Sequence, residues 1–267
     1  SHPLTCRRLA TRYHVRVDTE PVHVSVVIPA HNEQAYLPRL LDTVDAALSR
    51  YHRGPHQAEV VVADNASTDS TPEIARSRGC RVVEVPERRI ATVRNRGAAA
   101  ARGPLLAFVD ADMRIHPETF NAIDRAMASG KVVAGATGVK MERWSLGIAL
   151  TYALMVPWVI LLRMDTGVVF CSRSDFERIG GYDERRYFGE DVQLLWDLKR
   201  VGKERGQRLT RLRPVKALTS LRKWDQHGDW HYFRLIGRLL PMMLSTPSAS
   251  NDLAQRYWYG DERDPSD

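Results

Sequence analysis

The stretch Leu105-Leu-Ala-Phe-Val-Asp110-Ala-Asp112 runs an apolar segment straight into two carboxylates separated by one residue. An apolar run of this length reads as a buried strand. Acids at i and i+2 beyond a strand end project to one side once the chain turns. Hard oxygen donors are what Mg²⁺ or Mn²⁺ takes, usually one or two carboxylates completed by a substrate's phosphates. Asp-x-Asp alone is common; its place after a hydrophobic strand gives it weight. A second acidic group follows about 80 residues later, Gly180-Gly-Tyr-Asp-Glu184 and then Gly189-Glu190-Asp191. Acids at a helix start are often only caps favoured by the macrodipole. Taken with the earlier pair, they offer a general base beside a metal site.

Two more candidate groups stand after apolar runs. Pro29-Ala-His-Asn-Glu33 follows Val24-Ser-Val-Val-Ile28, and Asp64-Asn-Ala-Ser-Thr-Asp69 follows Glu59-Val-Val-Val-Ala63. Singly, Asn32 and Asp64 are ordinary turn and cap residues. Three strands that each end in an acid or amide point instead to one ligand pocket, because ligands of open α/β sheets gather beyond the carboxyl ends of the strands.

The elements that must position these groups alternate. Leu37, Leu40, Leu41, Val44 and Leu48 fall at helical spacing, and Thr71-Pro72-Glu73 should open a second helix with Thr as its cap. Arg81 to Val85 and Leu105 to Val109 read as strands, with an Ala-rich helix from Ala91 to Ala101 between them. Such alternation predicts an α/β fold with a mostly parallel sheet covered on both faces. Further on, Pro117 to Ser129 reads as a helix, Lys131 to Val139 as a strand, and Glu190 to Val201 and Trp230 to Leu244 as helices. Leu146 to Leu162 is apolar except for Thr151 and is interrupted by Pro157. A spanning helix needs about 20 apolar residues, so this segment reads as a buried or interfacial helix.

The chain has 267 residues, 43% hydrophobic and 27% charged. That is ordinary globular composition and excludes a disordered, fibrous or multi-span membrane protein. Net charge is +7 and the pI is near 9.5, which suits anionic partners. The surplus is concentrated. Lys199 to Arg238 holds twelve Lys/Arg against three Asp/Glu, and Arg76 to Arg102 eight against two. Cys6, Cys80 and Cys171 are odd in number and far apart, with no zinc spacing, so a reducing cytoplasm is expected. Residues 1–21 are polar, without the apolar core of a signal peptide, and read as an N-terminal extension.

Taken together, Val24-Ser-Val-Val-Ile-Pro-Ala-His-Asn-Glu33, Val61-Val-Ala-Asp-Asn-Ala-Ser-Thr-Asp69, Arg94-Asn-Arg-Gly97, Phe108-Val-Asp-Ala-Asp112, Gly167 to Glu184, and Glu190-Asp191 resemble the family 2 glycosyltransferases. The likeness runs from about residue 22 to residue 203. It implies a GT-A domain over 22–250, with a nucleotide-sugar-binding half at 22–115, an acceptor half at 116–250 and a polar tail at 251–267. The resemblance places Pro29, Ala30, Asn32, Glu33 and Asp64 around the nucleotide base and ribose, with Asp64 accepting from a ring N–H. It brings Arg94 to the ribose or diphosphate and Asp110 to the ribose and metal side. It makes Asp112 the ligand of Mn²⁺ or Mg²⁺, and Asp191 the general base with Glu190 holding the acceptor. Some members of the fold add a late His as a metal ligand, for which His227 and His231 are candidates. Thr219-Ser-Leu-Arg222-Lys223 is similar to a late family segment that closes over the diphosphate.

The implied reaction is an inverting transfer from a nucleoside-diphosphate sugar, with UDP favoured, to an acceptor hydroxyl. The segments Leu146–Leu162 and Trp230–Leu244, with Trp224 and Tyr232 near basic residues, could line an apolar acceptor slot, lie against a bilayer, or simply pack the core. A hydrophobic or lipid-linked acceptor and peripheral contact with the inner membrane face are therefore among the expectations. Other classes fit less well. In a haloacid-dehalogenase-like phosphatase the nucleophile, here Asp110, would stand near the domain start, and Arg114 occupies the place of the usual Thr or Val. A basic nucleic-acid-binding module would rest on charge alone, and no nucleic acid is expected. A dinucleotide-binding oxidoreductase lacks its G-x-G-x-x-G, and no P-loop occurs.

Overall fold

The computed structural model describes residues 21–162, 167–186 and 189–230, apart from the side chains of 155–162, 223, 226 and 227. Its centre is a seven-stranded sheet in the order β3-β2-β1-β4-β7-β5-β8. The strands are β1 (Val24–Ala30), β2 (Ala58–Asp64), β3 (Arg81–Glu84), β4 (Leu105–Phe108), β5 (Val132–Ala136), β7 (Val169–Ser172) and β8 (Arg208–Arg211). A separate two-stranded ribbon pairs β6 (Val139–Met141) with β9 (Ala217–Thr219) in parallel. Within the sheet β1, β2, β3 and β4 are parallel, and so are β5 and β8, whereas β7 runs antiparallel to both β4 and β5. The sheet is thus mostly parallel, as the alternation predicts.

Every residue of β1, β2 and β4 is buried. A parallel strand is covered on both faces, which is why these segments read as continuous apolar runs. The pleat divides them. Val24, Val26 and Ile28 face a cluster with α1 (Leu37–Ser49) and α4 (Thr119–Ala128), through Leu40, Leu41, Val44 and Phe120. Val27, Leu106 and Phe108 face the other side, against α3 (Ile90–Ala100) and α7 (Glu190–Glu204), through Ala98, Leu194 and Leu198. The sheet order reverses between β1 and β4, with α1 and α3 on opposite faces. A crevice opens at such a switch point.

The remaining helices are α2 (Thr71–Ser77), α5 (Leu146–Leu162), α6 (Arg173–Arg178) and α8 (Arg222–His227). Three readings change. Lys131 to Val139 is two strands rather than one, because the chain turns at Thr137-Gly138, where Gly138 takes φ +74°. Thr71 lies inside α2 behind Ser70, and its hydroxyl accepts from the Glu33 amide instead of capping the helix. Of the two readings of α5, buried or interfacial, the outer face of its described first half departs from the buried one: Leu146, Leu150 and Leu154 are exposed. Among the described residues no helix is long and apolar enough to cross a membrane. Beyond Trp230, the expected helix to Leu244, with Tyr232 and His231, lies outside the described residues, as do Cys6 and the tail.

Candidate active site

Because β2, β1 and β4 are adjacent and parallel, the loops after all three emerge at one edge of the sheet. The first two loops are laced together. Asn32 accepts from the Thr68 amide (2.8 Å), its own amide donates to Ser67 Oγ (3.0 Å), and the Gln34 amide donates to Asp69 (3.1 Å). Asn32 and Ala66 both take positive φ, 52° and 51°. Asn tolerates the left-handed region; Ala there costs of order 1 kcal/mol and is held by its surroundings. Pro29 and Ala30 end β1 beneath this lacing. Asp64, at the end of β2, is 4% exposed; Oδ2 receives the Ser67 amide at 3.4 Å and Oδ1 is buried without a hydrogen-bond partner. Buried acceptors are nearly always satisfied, so this oxygen keeps unused acceptor capacity at the sheet edge.

A second assembly lies across the crevice. Arg94, on α3, is 5% exposed. Its Nη2 donates to Asp110 Oδ1 (2.7 Å), its Nη1 donates to Glu190 Oε1 (2.8 Å), and Nη1 stands 3.3 Å from Asp191 Oδ1. One guanidinium therefore joins the loop after β4 to the first turn of α7. Its plane lies over the Tyr182 ring, 5.2 Å from the centroid. The Tyr182 hydroxyl donates to Asp191 Oδ1 at 3.0 Å. Asn95, next to Arg94, fixes the tyrosine: its Nδ2 donates to the Tyr182 carbonyl (3.0 Å) and to Glu184 (2.8 Å), and its Oδ1 accepts from the Tyr182 amide (2.9 Å). Gly181 has φ +74°, and a Cβ there would come within 2.6 Å of Asn95 Oδ1, so this turn requires glycine. Glu190 and Asp191 do not serve as caps; Gly189 holds the N-cap position with φ +71° and no side chain caps the helix.

A third strand of the site comes from late in the chain. Ser220, just past β9, donates to Asp112 Oδ2 (2.7 Å). Arg222, at the start of α8, donates through Nη1 to both oxygens of Glu33 (3.0 and 3.1 Å) and lies over the Tyr36 ring at 5.0 Å. The side chains of Lys223 and His227, also on α8, are outside the described residues.

The electrostatics follow from crowding. Burial pushes the Glu33 carboxyl up to about 7; Arg222 opposes this and the neighbouring Asp112 and Asp110 add to it. Burial likewise pushes Asp191 up to about 6, against the pull of Arg94 and with repulsion from Glu190 and Asp110. The phenol of Tyr182 is raised well above its ordinary value by burial and by Asp191, so it remains a donor. Displaced carboxylates gathered at one edge of the sheet make this the candidate site.

Of the residues singled out in the sequence, the crevice therefore collects Asn32, Glu33, Asp64, Arg94, Asp110, Asp112, Glu190, Asp191 and Arg222. Arg94 stands differently from its expected place on the ribose or diphosphate: its guanidinium is engaged by three carboxylates. Tyr182, Asn95 and Tyr36 have no role assigned from sequence, and Ser220 is read there only as part of the Thr219–Lys223 segment. Tyr182 and Asn95 lie within quoted motifs, but nothing in their spacing shows that they meet. Among the described residues no cluster of three or more His, Cys, Asp or Glu is arranged to hold a metal on its own. Asp112 with Asp110 nearby suits the other arrangement, in which one or two carboxylates hold a cation that substrate phosphates complete.

Comparison with known proteins agrees with this architecture. The sequence profile of Glycosyl transferase family 2 matches residues 25–176. The chain belongs to that family. It is 32% identical over 222 residues to a validoxylamine A glucosyltransferase of Streptomyces hygroscopicus subsp. limoneus, covering 67% of this chain and 48% of that protein. It is 28% identical over 240 residues to a pre-mycofactocin glycosyltransferase of Mycobacterium tuberculosis (strain CDC 1551 / Oshkosh), covering 83% and 47%. The chain thus spans about half the length of these relatives. Among solved structures, the mannosyltransferase PcManGT from Pyrobaculum calidifontis, in complex with GDP-Man and Mn²⁺, superposes with a TM-score of 0.59 at 24% identity, over 75% of this chain and 57% of that one. This likeness shows the GT-A fold.

Proposed function

We propose that the chain transfers a sugar from a nucleoside-diphosphate sugar to an acceptor hydroxyl with inversion, within a single domain spanning 22–250. The observation that carries the reading is the double anchoring of Asp191. Its Oδ1 receives the Tyr182 hydroxyl and faces Arg94, and that same guanidinium holds Asp110 on the donor side of the crevice. A base must sit within hydrogen-bond reach of the hydroxyl it deprotonates. Here the base is fixed to the loop that would meet the donor, and its carboxyl, near 6, is ionised at neutral pH.

Asp64 Oδ1 takes the ring N–H of the base, and uracil, with its single imide N–H, is the favoured partner. Pro29, Ala30, Asn32 and Glu33 line the base and ribose, and Glu190 helps to orient the acceptor. Asp112, with Asp110, would hold Mn²⁺ or Mg²⁺; His227 is the remaining candidate ligand. The charge balance supports a cation: among the described side chains Asp110, Asp112, Glu190 and Asp191 gather about Arg94 and Arg222, while burial disfavours the charge on Glu33. A dianionic diphosphate would be repelled by this excess. When bound, the cation supplies electrostatic stabilisation of the departing diphosphate. Arg222, followed by Lys223 on α8, would meet the diphosphate. The acceptor is a free hydroxyl, on a hydrophobic or lipid-linked molecule.

A thermal-shift panel of UDP and GDP with and without Mn²⁺ or Mg²⁺ tests this. A ligand at 100 times its Kd stabilises by about 2.7 kcal/mol. UDP with a cation is expected to do so, and Asp112→Ala to lose the cation dependence. Asp191→Asn is expected to keep the shift and abolish transfer. No shift with any nucleotide, or full turnover by Asp191→Asn, would overturn the reading.

A further inference from the structure

Helix α5 contradicts the usual division of a surface helix into an apolar and a charged face. None of its 17 residues carries a charge. Gly147, Ile148 and Thr151 turn inward, and the Thr151 hydroxyl donates to the Gly147 carbonyl (2.8 Å), so its one polar group is satisfied within the helix. Leu146 (69% exposed), Leu150 (41%) and Leu154 (44%), spaced four apart, form a ridge facing outward, with Ala149 and Ala153 beside it. Trp144, 55% exposed, stands at the head of this ridge, edge-on to Tyr152 at 5.3 Å. A contiguous apolar face of this kind marks an interaction surface.

Three observations define the occupant. A Trp–Tyr pair with an apolar body and polar tips is suited to the headgroup level of a lipid surface. The helix is also about 25 Å long, short of the roughly 30 Å hydrocarbon core, so it would lie in the boundary rather than cross it. Charge gives the sign of the lipid. The chain carries +7, and the ribbon leading into α5 presents exposed Lys140 on β6 and Lys216 beside β9.

We propose that the outer face of α5 docks on an anionic lipid bilayer, with Leu146, Leu150, Leu154 and Trp144 entering the headgroup boundary. The docked face is coupled to the active site. Arg143, just before α5, donates to Asp229 (2.8 and 3.0 Å) and Asp225 (2.7 Å), and the Asp229 backbone packs so closely on Gly147 that a Cβ there would lie 2.5 Å from its carbonyl oxygen. Asp225 belongs to α8, which carries Arg222, so the bilayer would meet the chain beside the donor entrance. Resting on the function proposed above, the acceptor hydroxyl is then that of an amphiphile resident in the bilayer.

Flotation with vesicles of phosphatidylcholine alone and with 30 mol% phosphatidylglycerol, without any substrate, tests the docking independently of the transferase reading. The chain is expected to float with the anionic vesicles and to dissociate as salt is raised. Leu146→Ser/Leu150→Ser/Leu154→Ser, at exposed positions and checked for an unchanged melting temperature, is expected to lower partitioning at least ten-fold. Lys140→Glu/Lys216→Glu is expected to lower it on anionic vesicles only. If the triple variant is destabilised, Leu150→Glu alone provides the same comparison. Wild-type chain that stays unbound, variants that float as well as wild type, or a dimer in sedimentation that the triple variant dissolves would each overturn the proposal. Loss of flotation with UDP binding intact would separate this surface from the donor site.

Discussion

Replacing Arg94 with methionine keeps the length of the side chain and removes its charge. Asp110, Glu190 and Asp191 then lose a guanidinium that reaches them at 2.7, 2.8 and 3.3 Å from a position with a side chain only 6% exposed. Removing one partner of a buried ion pair typically costs about 3–5 kcal/mol, because the remaining charge is stranded. That is a large share of the ~5–15 kcal/mol by which domains are stable. With an m-value of about 3 kcal/mol/M in urea, the midpoint would fall by roughly 1–1.7 M. The pH dependence identifies the cause. Arg94 is the main influence holding Asp191 down against burial, so without it the carboxyl titrates above its present value of about 6. A carboxyl whose folded pKa is raised binds its proton more readily folded than unfolded. Its cost is present above the folded pKa and is relieved as pH falls through it. The stability gap between wild type and Arg94→Met should therefore be wider at pH 8 than at pH 5.5. A loss below about 1 kcal/mol, or an equal loss at both pH values, would refute the view that Arg94 compensates these carboxylates.

Three further expectations follow from the same geometry. Tyr182→Phe removes a hydrogen bond to the Asp191 carboxylate worth about 1.5–3 kcal/mol in favour of the charged form, so the acid limb of the pH–rate profile should move up from near pH 6 by about one to two units. An unmoved limb would remove Tyr182 from the base. Arg222→Met should leave urea stability within about 1 kcal/mol, because Arg222 is itself partly exposed and the buried Glu33 carboxyl, already pushed up to about 7, takes up a proton in its absence, yet weaken UDP binding about ten- to hundred-fold, read by titration calorimetry. Gly97→Val should destabilise by at least about 1–3 kcal/mol, since even a Cβ at Gly97 on α3 would stand 2.5 Å from Val27 Cγ1 on β1; a circular-dichroism melt reads the loss.

What could be read from sequence was set by burial and by sequence distance. The strands β1, β2 and β4 were legible because a doubly covered strand must be apolar throughout. The strand β8, Arg208-Leu-Thr-Arg211, was not: it lies at the sheet edge, and half-exposed arginines carry no strand signal. The antiparallel β7 was not read as a strand, although its residues Val169, Phe170 and Cys171 are buried. Among the site residues, Asp110, Asp112, Glu190 and Asp191 stood out because acids at element ends are expensive to collect without purpose. Arg94 and Arg222 stood out as well, but which groups they pair with did not. Ser220 meets Asp112 across 108 positions and Arg222 meets Glu33 across 189, separations that only the fold closes. Tyr182 lay in view, but that its hydroxyl points back to Asp191 depends on Asn95 gripping its backbone from α3.

The two arginines of the crevice differ in what they are free to do. Arg94 has a nearly buried side chain and is fixed by three carboxylates from two elements; moving it toward a diphosphate would strand Asp191 and Glu190 together. Arg222 is 28% exposed and pairs with a single carboxylate, Glu33, whose burial already disfavours its charge. The energetic cost of releasing Arg222 is therefore far smaller than that of releasing Arg94. A donor diphosphate entering with its cation would compete with Glu33 for Arg222 and leave Arg94 in place. On the proposed function, this division would let one side of the crevice respond to the donor while Asp191 on the other side keeps its geometry.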